Sequence, residues 1–199
     1  MARAAQVPRA LAKGPAKSGP AGIHVALLRG VNVGGKNMLP MKDLAAMFVA
    51  AGCEDVETYI QSGNVVCRAR PTLARRLPAL VAGAILDRFG YHVPVVIRTA
   101  GELGDIVRGN PFLAAGADPD TLHVAFLVDR PSAGRVAALD AHRSPGDEFV
   151  VRGREIYLRL PNGAGRTKLT NAYFDAALAT TSTVRNWRTV LKLVESTRR

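Results

Sequence analysis

The stretch Val56–Arg70, VETYIQSGNVVCRAR, decides the fold. Val56–Ile60 and Asn64–Arg70 read as two β-strands joined tightly through Ser62-Gly63, which predicts an antiparallel hairpin. A hairpin placed directly after a helix argues against a parallel sheet of strictly alternating strands and helices. The helix before it is Met41–Ala51, where Leu44, Met47, Phe48 and Ala51 recur at helical spacing and Pro40 stands near the first turn. Ile23–Leu28 is an apolar run that reads as a buried strand. After the hairpin, Leu73–Phe89 repeats the helical period, with Pro78 predicting a late start or a kink and Gly90 a C-terminal cap. Val93–Arg98 closes the unit as a fourth strand. The order β-α-β-β-α-β is the ferredoxin-like arrangement, an antiparallel sheet with both helices on one face.

The rest of the chain predicts a second, looser α/β half. Ala100–Arg108 reads as a short helix, Leu122–Asp129 as a strand and Pro131–Ala141 as a helix. Glu148–Arg152 and Glu155–Leu160 form a hairpin turning at Gly153, followed by helices over Thr170–Ala179 and Val184–Glu195. On this reading the last strand of a second ferredoxin-like unit is missing, and no sequence repeat links the halves. The expected organisation is a disordered basic tail over residues 1–22, a ferredoxin-like subdomain over 23–98 and an α/β subdomain over 99–199. The class is α+β.

With 199 residues, 48% of them hydrophobic and 22% charged, the chain is long enough for a sizeable core. Arg3, Arg9, Lys13 and Lys17 supply four of the eleven net positive charges, which leaves +7 on the body. A basic body favours anionic partners, nucleic acid or phosphorylated small molecules. Cys53 and Cys67 are too few for a disulfide framework or a zinc site and read as buried thiols, in keeping with a reducing cytoplasm. The four histidines lack metal-ligand spacing, so neither metal nor cofactor is expected. No apolar run approaches the roughly 20 residues of a membrane span, and the N-terminal segment lacks the apolar stretch of a secretory signal.

Three corners concentrate glycine, amides and cations at predicted strand ends. The first is Arg29–Asn37, RGVNVGGKN, with Arg29, Asn32, Gly34, Gly35 and Lys36 as candidate ligand groups. Gly30–Lys36 matches the spacing of a phosphate-cradling P-loop, G-x-x-x-x-G-K. However, Asn37 stands where a metal-binding hydroxyl belongs, and Pro40 sets the helix back from the lysine. What survives is a weaker expectation, an anion-binding concavity beside Lys36. The second corner is Gln61-Ser62-Gly63-Asn64, with Gln61, Ser62 and Asn64 as candidates. The ends of the first and second strands are expected on opposite edges, so the two loops share a site only if the first folds back. The third is Asn162–Asn171, NGAGRTKLTN, where Asn162, Arg166 and Lys168 precede a helix start capped by Thr167 or Thr170. On the final helix, Arg185, Arg188 and Lys192 are predicted to share a basic face opposite Val184, Trp187, Val190, Leu191 and Val194. Trp187 reads as a packing anchor. No nucleophile elbow, paired-carboxylate motif or Cys–His arrangement points to a reaction.

Taken in order, VALLRGVNVGGKN, TYIQSGNVV, NPF, HVAFL, YLRLPNGAGRTKLTN and TVRNWRTVLKL resemble a bacterial family, the domain of unknown function numbered 1697. The resemblance runs from about Ile23 to about Val194. It implies an α+β protein with ferredoxin-like parts and places the family's motif positions on the same three corners, on Asn110-Pro111 and on Arg185-Asn186-Trp187. Two functions follow as expectations. One is a binding module for an anionic ligand, nucleic acid preferred. The other is an enzyme acting on a phosphorylated or nucleotide-like small molecule, held by Lys36, Arg166 and Lys168.

Overall fold

The computed structural model describes residues 19–198, so the tail expected over residues 1–22 lies almost wholly outside it. The first sheet holds β1 (Gly22–Leu28), β2 (Glu54–Tyr59), β3 (Asn64–Ala69) and β4 (Val95–Thr99) in the order β2-β3-β1-β4, every pair antiparallel. Two helices connect these strands, α1 (Met41–Ala50) and α2 (Pro71–Phe89). The second sheet holds β5 (Leu122–Leu127), β6 (Glu148–Arg152), β7 (Glu155–Arg159) and β8 (Ser182–Asn186) in the order β6-β7-β5-β8. Its connecting helices are α5 (Ala133–Ala137) and α6 (Asn171–Leu178), while α3 (Ala100–Arg108) and α4 (Pro111–Ala114) link the sheets and α7 (Trp187–Ser196) ends the chain. The fold is α+β.

Alternation along the strands sets the layers, because successive side chains face opposite sides of a sheet. In the first sheet Ala26, Leu28, Val65, Cys67 and Val95 face α1 and α2 and pack with Leu44, Phe48, Leu77 and Ile85. The other face, Val25, Leu27, Val66 and Val96, meets Val124, Phe126 and Tyr157 of the second sheet, with α3 and α7 between them. Ala125, Leu127, Ile156 and Leu158 turn away toward α6 and pack with Phe174 and Leu178. The central cluster therefore belongs to both sheets.

Several expectations are corrected. The final helix does not begin at Val184: Ser182–Asn186 is β8, the strand thought missing, and Asn186 caps α7 by accepting from Thr189 N at 2.8 Å. The second half is thus a complete β-α-β-β-α-β unit. The halves also share a short sequence echo, His24-Val25-Ala26-Leu27-Leu28 against His123-Val124-Ala125-Phe126-Leu127. The echo occupies equivalent registers, since Val25 faces Arg98 across the strands as Val124 faces Arg185. Helix α2 starts early, at Pro71, and runs through Pro78, leaving Leu80 partly exposed. The helix expected over Pro131–Ala141 is only Ala133–Ala137. Thr170 caps α6, whereas the Thr167 hydroxyl accepts from Leu169 N. Cys53 and Cys67 are buried and free, and burial pushes both thiols up, away from the reactive thiolate.

Two stability predictions follow. Trp187 is 2% exposed in the central cluster, so Trp187→Ala is expected to cost about 3–5 kcal/mol in urea unfolding. An exposed indole would show a red-shifted emission and little loss. Burial lowers the pKa of His123 from its ordinary 6.5. The unfolded chain then takes up this proton first as pH falls, so the contribution is present above the unfolded value and lost as pH falls through the folded one. The melting temperature should drop from about pH 7 to about pH 5, and His123→Gln should flatten part of that drop.

Candidate functional site

The first and second strands run parallel to each other, because each is antiparallel to β3 between them. Their C-terminal ends therefore lie at one end of the sheet, and the expected separation of the first two corners is overturned. Asn32 Nδ2 donates to Gln61 O at 2.8 Å, and Leu28 N donates to Gly63 O at 2.8 Å. The turn needs glycine at 63: its φ is +71°, and a Cβ there would lie 2.6 Å from both Leu28 Cβ and Val31 Cγ2.

The Arg29–Asn37 segment is a miniature hairpin and not a phosphate cradle. Val33 and Lys36 form a β-bridge, Asn32 N donates to Asn37 O at 3.1 Å, and Gly34 and Gly35 both have positive φ, the requirement of a type I′ turn. Helix α1 begins only at Met41, so no helix N-terminus faces Lys36. The amides hold this hairpin in place. Asn32 donates to Leu39 O at 2.8 Å and accepts from Leu39 N at 2.7 Å, while Asn37 donates to Gly30 O at 3.0 Å. Asn64, fully buried, donates to Tyr59 O and to Ser62 Oγ. These amides bind the chain and leave Lys36 and Gln61 as the exposed polar groups of the corner.

Arg185 sits on β8 and not on a helical face. It is 7% exposed, and every N–H of its guanidinium has an acceptor. Nε donates to Asn64 Oδ1 at 2.5 Å, and Nη1 donates to Thr183 Oγ1 and Val184 O, each at 2.9 Å. Nη2 donates to Leu28 O at 2.7 Å, Ser62 O at 3.0 Å and Gly63 O at 3.3 Å. No donor remains for an outside anion. Burial pushes its pKa down to about 10, so it is charged at neutral pH. Arg188 lies on α7, 80% exposed, in a surface pair with Asp120, and Lys192 pairs with Glu195 on the same helix.

The sequence reading missed the counterpart of Arg185. Arg98 occupies the same place on β4, the residue before a helix N-cap, and is 1% exposed. It crosses the seam the other way, donating to Leu127 O at 2.8 Å, Arg154 O at 3.0 Å and Glu155 Oε1 at 2.8 Å. Each arginine thus clasps the end of the other half's first strand and its hairpin turn. The signal lay in Ile97-Arg98-Thr99 against Val184-Arg185-Asn186, both just before a helix.

Arg29 is also engaged: it pairs with Asp175 of α6, whose other oxygen accepts from Ser182 N at 2.8 Å and Ser182 Oγ at 2.7 Å. Ser182 Oγ also bonds Asn171 Oδ1 at 3.0 Å. The third corner is held elsewhere. Lys168 N donates to Ser144 Oγ at 3.1 Å, and the Asn162 amide lies against Gly146. Among the described residues, no hydrogen bond joins Asn162, Arg166 or Lys168 to the hairpin, and no group of His, Cys, Asp and Glu is arranged to hold a metal.

The fold and this corner define a duplicated ferredoxin-like α+β protein with a glycine-rich hairpin stapled across the joint of its first unit. The chain belongs to the family described as a protein of unknown function, DUF1697, whose model matches residues 22–157. Its fold is similar to that of a conserved bacterial protein from Streptococcus pneumoniae, at a TM-score of 0.67 and 17% identity, over 89% of this chain and 99% of that one. No curated protein matches the chain.

The clasps predict a ranking. Arg185→Met leaves Asn64 Oδ1 and three main-chain carbonyls of the seam short of donors; a buried polar group left unpaired costs about 1–3 kcal/mol, and the variant should lose more than one such group's cost. Arg29→Ala, at a partly exposed pair, should cost about 1 kcal/mol or less. Urea unfolding of both variants checks the order. Equal losses would show that the guanidinium of Arg185 does not hold the seam.

Proposed function

We propose that this protein is a binding module for an anionic macromolecule, nucleic acid preferred, with the Asn32–Asn37 hairpin as its docking element. The observation that carries this reading is the division of labour among the candidate cations. Arg29 and Arg185 are spent inside the fold. Lys36, Arg166 and Lys168 stand exposed with no acidic partner among the described residues, whereas Arg68, Arg88, Arg108, Arg154, Arg159 and Arg188 are each paired with a carboxylate. Cations without partners bind phosphates at no cost in broken ion pairs, and affinity built on phosphates follows counterion release. Val33, Met38 and Ile60, at 61%, 63% and 49% exposure, flank Lys36 along the chain and at the neighbouring turn, and offer apolar contact to sugars and bases. Ile60 holds φ +49°, a costly conformation for a β-branched residue, at this exposed turn. An enzyme acting on a phosphorylated small molecule needs a concave site. Five clefts of the described surface are lined by residues other than Lys36, Arg166 and Lys168, which favours the binding module.

Fluorescence anisotropy with labelled single- and double-stranded oligonucleotides tests the reading. Affinity should fall linearly on a log–log salt plot, and Lys36→Ala should reduce the slope by about 1. The double variant Arg166→Ala, Lys168→Ala should reduce it further with an unchanged melting temperature. Absence of binding at low salt, or a slope indifferent to all three residues, would sink the proposal.

A further inference from the structure

The two halves differ where a helix meets the outer edge of its sheet, and in the first half a cleft lies there. In the second half, Asp175 lies five residues past the N-cap of α6, Arg29 follows the last residue of the partner half's first strand, and Ser182 opens β8. The Asp175 carboxylate fills the space between helix and strand edge by binding both Arg29 and Ser182. In the first half Val128 and Val95 hold the equivalent strand positions, and the neighbouring helix α2 presents Arg75 to the same cleft. There the helix carries a cation, and the strand ends are apolar. No carboxylate is supplied: Arg75 has no hydrogen bond or ion pair among the described residues. The space between them is a cleft of about 380 Å³ along the outer edge of β4, at the small end of the roughly 300–1,000 Å³ range of ligand sites. Pro78, Val95, Ile97 and Val128 give it apolar walls. At its far end Arg154 is neutralised by Glu102, which also receives Thr99 N.

We propose that this cleft is a binding site for a small carboxylic acid with an apolar body, the carboxylate taken by Arg75 and the body laid on Pro78, Val95, Ile97 and Val128. The guanidinium fork matches a carboxylate with two parallel hydrogen bonds. A single carboxylate suits the site better than a phosphate dianion, because Arg98 and Arg154 in the lining are each paired with a glutamate, which leaves Arg75 to match one negative charge. The site is separate from the hairpin and independent of nucleic-acid binding.

The test is titration of the full chain with 3-phenylpropanoate and with its uncharged amide, at fixed ionic strength, followed by amide chemical shifts. The acid should cause saturable shifts confined to β4 and the first turns of α2, with the amide at least about tenfold weaker. Arg75→Gln should weaken the acid by a similar factor with an unchanged melting temperature. Val128→Asp, which places an acid opposite Arg75, should block the ligand and raise the melting temperature. Lys36→Ala should bind the acid like the parent protein, whatever its effect on oligonucleotides. No saturable shift, equal binding of acid and amide, or unaltered binding by Arg75→Gln would overturn the proposal.

Discussion

A guanidinium buried in a protein must find an acceptor for each of its N–H groups, and in this molecule that demand fixes how the two sheets meet. Arg185 finds its main-chain acceptors beyond its own strand at the end of β1 and in the β2–β3 turn. Arg98 finds them at the end of β5 and in the β6–β7 turn. Apolar packing across the central cluster is tolerant of small slides, since dispersion and burial are weakly directional. The clasps are not tolerant, because a shift of an ångström or two breaks several charge-assisted bonds together. Their chemistry also differs. Arg98 has Glu155 as a counter-ion, whereas the acceptors of Arg185 are all neutral dipoles.

Upon this repeated plan, each half carries one departure. Twelve residues, Arg29–Pro40, join β1 to α1, against five, Val128–Ser132, at the equivalent junction of the second half. Conversely, eleven residues, Leu160–Thr170, join β7 to α6, where the first half uses Arg70 alone. Both long connections coincide with glycine- and cation-rich corners. Loops placed on a rigid scaffold are where binding residues concentrate, and here the scaffold contributes little exposed chemistry of its own at those ends. Asn32, Asn37 and Asn64 give up their hydrogen-bonding capacity to hold one such loop still.

The first unit was legible in the sequence because each element carried its own signal. The apolar periods of α1 and α2 and the tight Ser62-Gly63 turn are local features, and the order of elements followed from them. Strand β8 was hidden because it passes into α7 without a break: Val184 and Trp187 sit three residues apart, so the strand's inward residue falls into step with the helical stripe. Arg185 was misread for the same reason, and its burial depends on carbonyls more than 120 positions away in sequence. The repeat was missed because it is written in five residues and in a shared register, while the loops between differ in length. The meeting of the first two corners was misjudged as geometry: β3 lies between β1 and β2, and two reversals restore one direction. Lys36, Gln61, Arg166 and Lys168 were legible as exposed groups. Which of them share a surface was not, since that is set by how the two units dock.

The shared central layer has a consequence for how the chain is made. When the ribosome has released only the first hundred residues, the face formed by Val25, Leu27, Val66 and Val96 has nothing to cover it, and Arg98 still lacks the carbonyls of Leu127 and Arg154. Its lid, α7, follows all eight strands in the chain. The nascent first unit must therefore wait with an open greasy surface until α7, some ninety residues further along, has been made, which makes it a natural client for the chaperones that attend the exit tunnel.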